Sequence, residues 1–108
     1  MELLTLTDLA ARLGVGLTGA RNLVKEGRLL AVRDAGGSLG IPAELLDGDQ
    51  PVKHLSGVLH LLRDARYSDD EALRWLTTPD DSLPGTPLQA LHENRATEVK
   101  RRAQALAF

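Results

Sequence analysis

The stretch LGVGLTGARNLVKEGRL, residues 13–29, places three glycines as Gly14-x-Gly16-x-x-Gly19, followed by Ala20. That spacing matches the phosphate-binding turn of a dinucleotide fold, and Asp34 stands where such a fold carries its ribose-binding acid. The match makes heavy demands on its surroundings: a strand before the first glycine, a helix after the last, and a parallel sheet covered on both faces. The chain does not meet them. Before Gly14 lies an amphipathic helical pattern, with Thr7 as N-cap, Asp8 in the first turn, and Leu9, Ala10 and Leu13 at helical spacing. One hairpin is readable in the whole chain, without a second strand–helix–strand unit. With 10 glycines in 108 residues, such a spacing also arises easily by chance.

Taken singly, the glycines punctuate helices. Gly14 is expected to end the first helix in a left-handed conformation, with Val15 packing down into the core from the turn. A second helix over about Thr18–Glu26 puts Ala20, Leu23 and Val24 on one side and Arg21, Asn22 and Lys25 on the others, and Gly27 ends it. RLLAVRD (28–34) reads as a strand, AGG (35–37) as a turn, and SLGIP (38–42) as the returning strand, which stops at Pro42. AELL adds one helical turn before the acidic loop DGDQP. Helix, short turn, helix and hairpin is the order of a unit that lays one helix in a DNA major groove with the hairpin as a wing.

The second half reads as purely helical. Ser56 is the expected cap of a helix through about Arg66, burying Val58, Leu59, Leu61 and Leu62. Ser68 and Glu71 form a capping box that opens a helix through Leu76. TTPDDSLPG (77–85) is a connector, and Thr86-Pro87 starts a last helix running to about Ala107, with Pro at its preferred first position. The fold class is therefore mainly α with one short β-hairpin: a winged helix-turn-helix over 1–50 and a helical extension over 51–108. That extension makes a thin core on its own, so it is expected to pack against the winged unit or a second copy of itself.

The net charge of −2 does not itself point to a nucleic acid, but its distribution does. Residues 18–33 hold Arg21, Lys25, Arg28 and Arg33 against Glu26 alone; residues 95–102 hold Arg95, Lys100, Arg101 and Arg102 against Glu98 alone. Both stretches also read as solvated helix faces. Without cysteine there are no disulfides or thiolate metal sites, and no apolar run approaches the roughly 20 residues of a membrane span. No signal peptide is visible at the N-terminus, so the cytoplasm is the expected compartment. His54, His60 and His92 have no metal spacing and read as surface histidines, and Trp75 reads as core. No nucleophile–base pair, metal cluster or phosphate loop supports an enzyme or a cofactor.

Residues 3–46, LLTLTDLAARLGVGLTGARNLVKEGRLLAVRDAGGSLGIPAELL, resemble the winged helix-turn-helix of the excisionase and MerR-type families. The recurring elements are the capped first helix, LGV at the turn, a second helix ending in EGRL, and then AVR, GG and IP in order. With LSGVLHLLRDARYSDDEALRWLTTPDDSL and ALHENRATEVKRRAQALAF included, the whole chain is similar to an actinobacterial family of small winged-helix DNA-binding proteins. The resemblance implies double-stranded DNA as partner and a role in transcription regulation. It places Thr18, Arg21, Asn22 and Lys25 on the reading helix, with Arg28, Arg33 and Ser38 on the hairpin. Arg21 suits guanine edges or phosphate and Asn22 adenine, while Lys25, Arg28 and Arg33 suit phosphates. Arg33 has Asp34 and Glu44 as alternative partners. Gly16, Leu17 and Gly19 offer no hydrogen-bonding side chain, so backbone contacts and DNA shape are expected to carry much of the binding.

The C-terminal segment SLPGTPLQALHENRATEVKRRAQALAF faintly resembles the toxin-binding domains of some bacterial antitoxins. The competing function is accordingly a protein-interaction adaptor, working through the C-terminal helices with little DNA binding.

Overall fold

The computed structural model of the chain describes residues 1–81 and 83–107. Ser82, within the connector expected over 77–85, and Phe108, within the extension expected over 51–108, lie outside the described residues. The chain divides into two compact units, Met1–Val52 and a second that begins at Lys53.

In the first unit, α1 spans Leu6–Leu13 and is capped by Thr5, whose Oγ1 accepts the Asp8 N–H at 3.0 Å. The expected cap, Thr7, instead lies inside the first turn. Starting the helix two residues earlier lets Leu6 half-bury and leaves Leu9 and Ala10 facing the core. Gly14 ends α1 at φ +69, and the Val15 N–H closes back onto the Ala10 carbonyl at 3.0 Å, the bond pattern of a left-handed helix stop. Then α2 (Leu17–Lys25) begins, one residue ahead of the expected start, with Gly16 at its N-cap and no side-chain cap. It stops in the same way as α1, with Gly27 at φ +78 and the Arg28 N–H bonded to the Leu23 carbonyl at 2.9 Å. Leu9 and Ala20, one from each helix, are fully buried where the two helices meet.

The strand expected over 28–34 is mostly core-filling chain. Leu29, Leu30 and Ala31 are buried without a ladder, and only Val32–Arg33 (β2) pairs with Leu39–Pro42 (β3). The sheet has a third strand that the sequence pattern hides: β1 (Leu3–Leu4) lies antiparallel on the other side of β3, giving the order β1-β3-β2. Gly40 allows that approach, because a Cβ there would stand 2.8 Å from the Leu3 Cβ. The acidic loop expected over DGDQP is a second small hairpin, β4 (Leu46–Asp47) with β5 (Gln50–Pro51), following a 3₁₀ turn at Ala43–Leu45. Arg12 ties this hairpin to the end of α1 by donating to the Gly48 carbonyl at 2.9 Å.

The second unit holds α3 (Leu55–Asp64), α4 (Asp69–Thr77), α5 (Pro87–His92) and α6 (Ala96–Ala105). Its core is aliphatic: Leu55, Val58, Leu62, Leu76, Val99 and Ala103 are each fully buried. The cap of α3 is not Ser56 but His54, in the left-handed region at φ +69, so that Leu55 enters the core in the first turn. The helix also ends two residues short of Arg66, which itself sits at φ +68, with the Tyr67 N–H on the Leu62 carbonyl at 3.0 Å. Both N-terminal motifs read from the sequence form capping boxes. Ser68 pairs with Glu71 ahead of α4, and Thr86 pairs with Gln89 ahead of α5, which carries Pro87 in its first turn. The single last helix expected from Thr86 to Ala107 is two helices. Asn94 at φ +64 breaks it, and the Arg95 N–H closes onto the Ala90 carbonyl at 2.8 Å.

Two stability outcomes follow from these helix ends. A left-handed L-residue costs about 1–2 kcal/mol against glycine, partly offset by the chain entropy glycine loses. Arg66→Gly is therefore expected to raise stability by up to about 1 kcal/mol in urea denaturation, and Asn94→Ala to lower it by about as much. In the Ser68 box, the Glu71 carboxylate accepts the Ser68 backbone N–H at 2.9 Å, and Ser68 Oγ accepts the Glu71 N–H at 3.2 Å. These bonds, the backbone one first, hold the Glu71 carboxyl below its ordinary range. Its stabilisation is complete above the unfolded glutamate pKa of about 4.3 and is lost as pH falls through the lowered folded value. Glu71→Gln is expected to flatten that acid limb by slightly lowering the midpoint at neutral pH, where the carboxylate's contribution is lost.

Candidate nucleic-acid interface

Among the described residues no polar or charged side chain is buried, so polar recognition has to lie on the surface. On α2 the spacing of Thr18, Arg21, Asn22 and Lys25 is i, i+3, i+4, i+7, which lines them along one face of a helix. All four are exposed, while Ala20 is fully buried and Leu23 and Val24 are half-buried. Among the described residues, the side chains of Arg21, Asn22 and Lys25 enter no hydrogen bond or ion pair.

The hairpin that follows α2 is a closed turn built on Asp34. One carboxylate oxygen of Asp34 accepts the N–H groups of Gly36 and Ser38, each at 2.9 Å, and its backbone N–H donates to the Ser38 carbonyl at 2.9 Å. Gly37 turns the chain at φ +84. Asp34 is thereby a turn-forming residue, and the glycine fingerprint with its distant acid dissolves into two separate pieces of local structure. Arg33, for which Asp34 and Glu44 were alternative partners, donates to the Gly37 carbonyl at 2.8 Å, which braces the tip while leaving the residue exposed. Ser38 is exposed at the same tip. Arg28, just past α2, stands 3.9 Å from Glu26 in a pair so exposed that its net contribution is small.

The second basic stretch differs in kind. Arg95 pairs with Glu93, Arg102 lies 3.7 Å from Asp80, and Lys100 Nζ lies 3.4 Å from His54 Nδ1. Three of its four cations already have partners within the second unit. Two basic stretches that look equal in sequence are thus distinguished by what their side chains already touch.

Val15 and Trp75 do not stand where the sequence pattern puts them. Val15 does not pack into the core; it is 42% exposed, because the left-handed stop at Gly14 swings it outward over Gly19. Leu17 and Leu39 are likewise exposed, at 46% and 45%. In the second unit, Trp75 is half-buried where a core position was expected. It stands between two open clefts of about 360 and 330 Å³, one toward Pro79, Asp80 and Pro87 and the other toward Tyr67 and Glu71. His54, His60 and His92 are exposed, and among the described residues no three metal-ligating side chains converge. No helix among the described residues is long and apolar enough to cross a membrane.

The DNA-binding protein Rv2175c of Mycobacterium tuberculosis (strain ATCC 25618 / H37Rv) is 41% identical over 115 residues, which span 95% of this chain and 79% of that one. The chain belongs to the Rv2175c family. The family models agree with the two-unit division: residues 1–46 match the DNA-binding protein Rv2175c, wHTH domain, and residues 52–107 match the Rv2175c C-terminal domain of unknown function. The fold agrees as well. The NMR structure of Rv2175c superposes with a TM-score of 0.89 at 39% identity, covering 99% of this chain and 82% of that one. Within the Rv2175c family fold, α1 and α2 are therefore the helix-turn-helix and β2–β3 the wing.

Because the wing tip hangs on one carboxylate, Asp34→Ala is expected to speed amide exchange at Gly36 and Ser38 at least tenfold. Global stability is expected to fall by only about 1 kcal/mol, the net value of a typical hydrogen bond. Unchanged exchange at both amides would show that the hairpin holds its turn without Asp34.

Proposed function

We propose that this protein binds double-stranded DNA as a transcription regulator, laying α2 in the major groove with the β2–β3 wing against the backbone. The observation that carries the reading is the unengaged stripe of α2: a hydroxyl, a guanidinium, an amide and an ammonium aligned on one exposed helix face. Membership of a family named for a DNA-binding protein supports it. In this reading Arg21 and Asn22 face base edges, where a guanidinium fits guanine and a carboxamide fits adenine. Thr18 contacts the groove at the helix start. Lys25, Arg28, Arg33 and Ser38 take phosphates, which fix register without reading sequence. The likeness to excisionase and MerR-type wings is part of the same reading. So are the absence of any catalysed reaction and a place of work in the cytoplasm, where a bacterium keeps its DNA.

To the second unit we assign assembly or partner binding, whether by a second copy of the chain or by another protein. The open clefts on either side of Trp75 support that assignment.

Each phosphate neutralised contributes a slope of about −0.9 to log K against log salt. On a random-sequence duplex Arg21 has no matched guanine and takes a phosphate as well, so with Arg21, Lys25, Arg28 and Arg33 engaged the slope is expected to be roughly −3 to −4. In fluorescence anisotropy, Arg21→Ala/Lys25→Ala is expected to weaken binding and reduce that slope by up to about 2. Binding by the double variant with an unchanged slope would remove α2 from the interface, and no wild-type binding even at low salt would leave the adaptor function in its place.

A further inference from the structure

The start of α2 does not look like the start of a helix selected only to bind phosphates. Its exposed positions ahead of Thr18 are Val15, Gly16 and Leu17. The fold does not demand this composition. Gly16 sits at φ −73, an ordinary conformation, and a Cβ on it would meet nothing within 4 Å. A Ser, Thr, Asp or Asn there would cap the helix, the usual solution at such a position. Leu17, at the first helical position, leaves nearly half its surface in water although it lies one turn from the polar stripe, four residues before Arg21.

Resting on the DNA-binding reading, we propose that Leu17, with Val15 beside it, reads thymine through its 5-methyl group. The groove edges of guanine, cytosine and adenine present hydrogen-bond donors and acceptors, and thymine alone adds an apolar group. A leucine set against any other edge strips water from polar atoms and gives them no partner. Set against thymine, it buries a methyl group. Gly16 clears the space beside it, so that the helix end can approach the base edges closely. A protein partner fits this patch less well, because the same face carries Arg21 and Lys25 with no acid on the stripe, which complements phosphates flanking a base. The patch is also only two side chains wide, well below a protein-docking surface.

The test uses the full chain. Duplexes with a 20-bp random centre are enriched for binding, and each thymine of the enriched sequence is then replaced by deoxyuridine, which removes only the methyl group. At one or more positions the replacement is expected to weaken binding about fourfold, the ratio that burying one methyl group gives. Leu17→Ala is expected to erase that thymine preference while keeping the salt slope, and Leu17→Met, which keeps an apolar contact, to retain it. Thymine and deoxyuridine duplexes that bind alike at every position overturn the inference, and so does a Leu17→Ala protein that still prefers thymine. The wild-type comparison stands even where Leu17→Ala fails to fold. Salt-dependent binding without any enriched sequence overturns the inference and leaves DNA binding intact, whereas no binding to any duplex at low salt sinks both.

Discussion

Gly14 at φ +69 is the point on which the first unit turns. A residue with a Cβ is strained there, and the glycine lets the Val15 N–H close onto Ala10 with only three residues between helices. So tight a connection sets the second helix at a fixed rotation against the first, with Ala20 buried between them. Once Ala20 faces inward, helical periodicity sends Thr18, Arg21, Asn22 and Lys25 outward together. The same stop swings Val15 into solvent, so the polar stripe and the apolar helix start have one cause.

Charge alone does not locate an interface in this protein. The stretches 18–33 and 95–102 carry the same local excess, yet Arg95, Lys100 and Arg102 have partners within the second unit whereas Arg21 and Lys25 have none among the described residues. A cation already held by a carboxylate must give up that contact before it takes a phosphate; one held only by water need not. On that ground the wing side of the molecule is favoured over α6, independently of any family relationship.

What was legible in the sequence was chemistry completed within a few residues. The capping box at Ser68, the helix start at Thr86-Pro87, the stop at Gly14 and the hairpin tip around AGG each need only local bonds, and each stands where the pattern put it. The exposed stripe on α2 was readable because a 3.6-residue period is local too. Hidden features depend on distant partners or on residues breaking their usual habits. Two-residue strands such as β1 carry no alternation, and β1 exists because Leu3 meets Pro42 and Gly40 makes room. Apolar spacing runs on across Asn94, so only the left-handed asparagine divides α5 from α6. Thr7 was the expected cap, and Thr5 takes its place because the earlier start half-buries Leu6. For the candidate site, residue identities were legible but their engagement was not: that Arg33 braces the wing and Arg102 lies against Asp80 depends on the folded geometry.

In this reading the α2–wing face, not the basic stretch of α6, meets DNA. Backbone amide shifts followed by NMR while a short random-sequence duplex is titrated into the full chain at low salt test it most directly. The largest changes are expected at residues 16–25 and 33–38, with 95–105 nearly unmoved. Changes centred on 95–105 while α2 stays silent would contradict it.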